Sequence, residues 1–117
     1  MSETIIDVEA QCTEILKSVN SLPSSLFSSE RKSGITEIIE EIQGKLAKIK
    51  KSIFARTGRG QQLSLKINNN ASAIVKSLKD LKKDPSLESR LDTQLNEFKF
   101  SVDVMEREIR RRTIVVT

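Results

Sequence analysis

ITEIIEEIQGKLAKIKKSIF, residues 35–54, decides how this chain reads. Ile35, Ile39, Ile42, Leu46, Ile49 and Ile53 recur at alternating steps of four and three, with Ile38 widening the stripe. That spacing places one apolar face along a helix and leaves the intervening charges on the other. Glu37, Glu40 and Glu41 lie near the start, and Lys45, Lys48, Lys50 and Lys51 near the end. This order complements the helix macrodipole, and Glu41 with Lys45 gives one oriented pair four apart. Gly44 costs such a helix about 1 kcal/mol relative to alanine, so a close helix crossing is expected there.

The same spacing recurs on both sides. Ile5, Val8, Cys12, Ile15, Val19 and Leu22 form an earlier seam, opened by a capping-box pattern at Thr4 and Asp7 and closed before Pro23. Ser21 to Ser29 is a serine-rich linker in which Leu26 and Phe27 are expected to fold back on the bundle. A third segment from about Gln61 to Lys82 carries Leu63, Ile67, Ala71, Ile74, Leu78 and Leu81. Its Asn68-Asn69-Asn70 run predicts a kink or a later start, because asparagine competes for the backbone. The fourth has Leu91, Leu95, Phe98, Val102, Met105 and Ile109, with Asp84 as N-cap and Pro85 as first helical residue.

Four seams and short links predict an all-α fold: an antiparallel up-down bundle of three to four helices, roughly three quarters helical. Residues 1–112 read as one domain and 113–117 as a flexible C-terminal tail, since Thr113-Ile114-Val115-Val116-Thr117 switches to β-branched types. Mid-helix seam positions name the core: Ile15, Ile39, Ile42, Leu46, Ile49, Ile74, Leu78, Leu95, Phe98 and Val102.

Composition narrows the function. The chain has no histidine, tryptophan or tyrosine. A phosphotransfer bundle needs an acceptor histidine, and a di-iron bundle needs Glu-x-x-His pairs. Cys12 has no histidine to activate it, and its seam position reads as a buried inert thiol. Thr57-Gly58-Arg59-Gly60 lacks the spacing of a phosphate-binding loop and reads as a turn between helices. No enzyme, cofactor or metal site is therefore expected. No apolar run approaches a membrane span, and Met1-Ser2-Glu3-Thr4 lacks the start of a signal peptide. A cytoplasmic, reducing setting is the expectation.

Charge is unevenly distributed. Residues 45–83 hold eleven bases against one acid, whereas residues 1–44 are net acidic. An antiparallel bundle brings the second link and the C-terminus to the same end. Lys50, Lys51, Arg56, Arg59, Lys66, Arg110, Arg111 and Arg112 would then converge as a basic pole, partly neutralised by Glu3, Asp7 and Glu9. Such a pole suits an acidic protein, nucleic acid or anionic lipid. The plainer reading is that these cations solvate helix ends. Aromatics do not interleave with them, which argues against stacking on single strands. Arg110-Arg111-Arg112-Thr113 also fits a basophilic-kinase pattern, one that recurs often by chance.

The layout of three helices and a further heptad helix is similar to N-terminal domains of vesicle-fusion proteins and to small coiled-coil subunits of tethering or cytoskeletal complexes. The likeness is one of element order, with no motif behind it. The function expected is a non-enzymatic interaction or assembly protein, bundle subunit or adaptor, binding protein partners or itself through apolar seams. The alternative is a basic adaptor that binds nucleic acid or an anionic membrane surface through the pole.

Overall fold

A computed structural model of the chain describes residues 3–116, with side chains from 5 to 111. The molecule is all-helical, 85% of it in helix against the three quarters expected, and packs as a bundle. The helices are α1 (Glu3–Ser21), α2 (Ser29–Lys50), α3 (Gly58–Asp80) and α4 (Leu87–Val116). A short 3₁₀ turn, Ile53–Arg56, joins α2 to α3.

Cross-helix contacts give the directions. Lys50 meets Glu9, and Lys32 donates to the Leu22 carbonyl, so α1 and α2 are antiparallel. Arg31 reaches Glu88 and Asp92 while Lys45 reaches Asp103, so α2 and α4 run parallel. Ser77 bonds Gln94 and Ser101 bonds Asn70, so α3 and α4 are antiparallel. The up-down order holds, but the order around the bundle is not sequential. α1 packs on α2 and α3, α4 packs on the same two, and the consecutive α2 and α3 do not pack along each other. The link 51–57 crosses the bundle diagonally.

All ten core residues named from the sequence are buried, at 0–4% exposure. Phe27 is buried and Leu26 packs beside it, so the linker folds back as expected. Ser28 caps α2 by accepting from the Arg31 amide. The Arg31 guanidinium lies 5.4 Å from the Phe27 ring centre and 2.5 Å from Asp92. Its Nε sits 3.4 Å from Glu88, a charge contact without hydrogen-bond geometry.

Several expectations are corrected. Gly44 makes no close crossing: a β-carbon there would meet nothing within 4 Å, because the residue lies opposite the Ile42–Leu46 face. Lys45 does not make its close ion pair with Glu41, which acts on it only at longer range. It crosses to α4, 2.6 Å from Asp103 and 4.0 Å from Glu106. α3 starts at Gly58 and runs unbroken through the asparagines. Asn68 accepts from Gln11 of α1 at 2.5 Å and Asn70 from Ser101 of α4 at 2.7 Å. Bonds to neighbouring helices replace the competition with their own backbone. Asp84 caps a preceding turn, accepting from the Ser86 amide and hydroxyl, and α4 begins only at Leu87, two residues after Pro85. Its described backbone extends to Val116. The Thr4 half of the capping box lies outside the described side chains.

The largest correction concerns Ile53. Read as the last residue of the second seam, it is 80% exposed. α2 stops at Lys50, and Ser52 caps the 3₁₀ turn by accepting from the Phe54 amide. The new turn rotates Phe54 and Ala55 into the core and Ile53 into solvent.

Candidate functional site

The pole is built by the end of α2, the 3₁₀ turn, the start of α3 and the last turns of α4. Lys48 and Lys50 occupy the last turn of α2, where unpaired carbonyls favour cations. The turn is held firmly. The Thr57 hydroxyl donates to the Phe54 carbonyl at 2.7 Å and accepts from the Gly60 amide at 3.0 Å. The Gln61 side chain donates to the Arg56 carbonyl at 3.1 Å.

The α3–α4 register brings the far pieces in. Ser64 lies against Met105, the hydroxyl 3.9 Å from its sulfur. Arg59 is five residues before Ser64 and Arg111 six residues after Met105, so antiparallel helices carry both to one end. Lys50, Lys51, Arg56, Arg59, Arg110 and Arg111 are all exposed there. Lys66 is exposed but sits about 10 Å further along α3 than Arg59, on the flank rather than the tip. The Arg112 side chain lies outside the described residues, as does that of Glu3.

Acids neutralise part of this surface. Lys50 Nζ lies 3.1 Å from Glu9, and Arg110 Nη2 lies 3.2 Å from Glu106. Among the described residues, no carboxylate lies in ion-pair range of Lys51, Arg56, Arg59 or Lys66. The basic third of the sequence is not one patch in space. Lys76, Lys79, Lys82 and Lys83 follow α3 to the opposite end, beside Asp80 and Asp84.

Arg59 stands against the plain electrostatic account. It lies in the first turn of α3, which contains no acid. A helix N-terminus carries partial positive charge, so a cation there is disfavoured. Helix-end solvation explains Lys48 and Lys50 but not Arg59.

Chemistry elsewhere is sparse. Cys12 is fully buried, as read from its seam position, and its thiol is pushed up to about 12 by desolvation first and Glu9 second. No group of three His, Cys, Asp or Glu among the described residues could hold a metal ion. No helix among the described residues is long and apolar enough to cross a membrane. Ile49 and Ile109 floor an open cleft of about 250 Å³ at the pole, rimmed by Lys48, Glu106 and Arg110. A second open cleft, about 480 Å³, lies between α2 and α4 near Arg31, Ile38 and Leu95.

The exposure of Ile53 is the feature that sequence reading missed. Ser52 is a capping residue type, and Ile53 and Phe54 beside it are two large apolar neighbours at the end of the seam. Together these were the available signal. The chain matches no protein-family model, no curated protein and no solved structure.

Proposed function

We propose that this chain is a non-enzymatic interaction module that docks through its basic pole onto an acidic surface. Arg59 carries the reading, a cation kept exposed in a helix first turn that disfavours it and grouped with Lys51, Arg56 and Arg111. The seams favour the pole over seam-to-seam assembly, because their residues are buried within one copy, with Ile53 and the part-buried Ile109 as exceptions.

Heparin serves as a generic polyanion for the test. The native protein should bind it at low salt and lose affinity steeply as salt rises. Arg56→Gln, Arg59→Gln, Arg110→Gln and Arg111→Gln together should abolish binding with helicity unchanged, since all four side chains are exposed. Sedimentation equilibrium should give a monomer. If heparin, DNA and anionic vesicles all fail to bind at low salt, the reading is wrong. A stable dimer unaffected by salt would return the function to assembly.

A further inference from the structure

We infer that the 3₁₀ turn at the pole is an insertion tip for an anionic phospholipid bilayer, with Ile53 entering the interface while Lys51, Arg56 and Arg59 hold lipid phosphates. This rests on the proposed use of the pole and adds its partner and its central contact. Ile53 is 80% exposed, more than Ile6, Leu65 or Phe100 at 51–59%. It is the only large apolar side chain among the described residues to reach that exposure.

Its exposure is built in. Phe54 and Ala55, the next two residues, are buried at 6% and 2%, and the Phe54 carbonyl is held by both the amide and the hydroxyl of Thr57. Anchored neighbours fix the direction in which Ile53 projects, so little ordering entropy remains to be lost when it enters a second phase. Cations flank it in sequence on both sides: Lys50 and Lys51 before, Arg56 and Arg59 after. Long basic side chains can lay their stems along the acyl boundary and keep their charges among the headgroups.

Charge complementarity selects the occupant. A protein partner would be matched by a contiguous apolar patch, and here the most exposed apolar side chain, Ile53, stands among cations on a narrow end of a body measuring 52 × 22 × 20 Å. A duplex would meet the cations but give an isoleucine projecting toward its phosphates nothing apolar to bury. A bilayer with acidic headgroups offers negative charge at the surface and hydrocarbon just beneath. Ile6 stands at the same end, one turn from the Glu9 that holds Lys50, and is half exposed. It is a second apolar contact if the long axis tilts.

The probe is phosphatidylcholine vesicles with and without phosphatidylserine, read by co-sedimentation. The native chain should bind the mixed vesicles, not the neutral ones, and less as salt rises. Ile53→Ser should bind the mixed vesicles at least about tenfold more weakly and bind heparin as the native protein does. The chain has no tryptophan or tyrosine, so Ile53→Trp adds a single reporter. Its emission should shift to the blue with mixed vesicles and stay unmoved with heparin. Vesicle binding by Ile53→Ser equal to native, or an unshifted tryptophan on vesicle-bound protein, would overturn the insertion and leave the pole intact. Heparin binding without vesicle binding would overturn it too. Failure of every polyanion would remove the pole itself.

Discussion

Gly60 lies directly against the carbonyl of Phe54, with no space for a β-carbon between them. An added methyl would run into that oxygen and come within 2.9 Å of its carbon and 3.0 Å of Ala55 Cα. The obstruction is backbone, which no change of rotamer can clear. Gly60 is needed for this approach alone, since among the described residues no glycine has a positive φ.

Gly60→Ala should therefore lower stability by about 1–3 kcal/mol, as overpacked sites do. Gly44→Ala should act oppositely and raise it by up to about 1 kcal/mol, since alanine is the better helix former and nothing stands in its way. Urea denaturation of the two variants checks both signs. Equal shifts would mean that the turn yields.

Ile42→Asp should unfold the chain. Ile42 is 1% exposed in the middle of α2, and a buried carboxylate without a partner costs on the order of 3 kcal/mol or more. That is a large share of the roughly 5–15 kcal/mol that holds a domain folded. Circular dichroism at 25 °C should show the helical signal lost, and a thermal midpoint equal to the native value would refute the core assignment.

The Lys45–Asp103 contact predicts a feature at high pH. The hydrogen bond that the Lys45 ammonium donates to Asp103 is the main cause that raises it above its ordinary value of 10.5, against a desolvation effect that lowers it. A folded value above the unfolded one stabilises the fold fully below the unfolded value, and that stability is lost as pH rises through the folded value. Lys45→Met should cost about 1 kcal/mol at neutral pH, both partners being mostly covered. The gap in thermal midpoint between native and variant should close in the alkaline range above 10.5. A gap independent of pH would assign the effect to packing.

Cys12 should report opening of the bundle. It is fully buried and its thiol is pushed up to about 12, so a disulfide reagent at neutral pH meets neither surface nor thiolate. Labelling should be slow, accelerate with urea, and run faster in Gly60→Ala, the logarithm of its rate rising with the stability lost. Fast labelling of the native chain would show that α1 detaches by itself.

Most of the core was legible because its signal is periodic. Ile39, Ile42 and Leu46 repeat at the spacing of one helix face, and burial follows from that geometry. Ile53 was misplaced because the repeat runs on in the letters after the helix has stopped, and only the Ser52 cap marks the change. The asparagine run was misread because the groups that satisfy it, Gln11 and Ser101, come from distant parts of the chain. The order of helices around the bundle was not legible: the seams are chemically alike, and a link as long as 51–57 can reach a neighbour or the diagonal. At the candidate site, short links between antiparallel helices bring Arg59 and Arg111 to one end, and link length is legible in the sequence. Lys66 was included because the third helix was expected to start at about Gln61, whereas it starts at Gly58 and carries Lys66 further from the tip.

The diagonal link also bears on how copies of this chain treat one another. The hairpin α1–α2 and the hairpin α3–α4 meet through parallel pairs, α1 with α3 and α2 with α4. Two molecules could exchange hairpins and rebuild every one of those contacts, provided that 51–57 straightened. Straightening would pull Phe54 and Ala55 out of the core, free the Phe54 carbonyl from Thr57, and separate Gly60 from it. The packing of a four-residue turn thus sets the cost of such an exchange between identical copies.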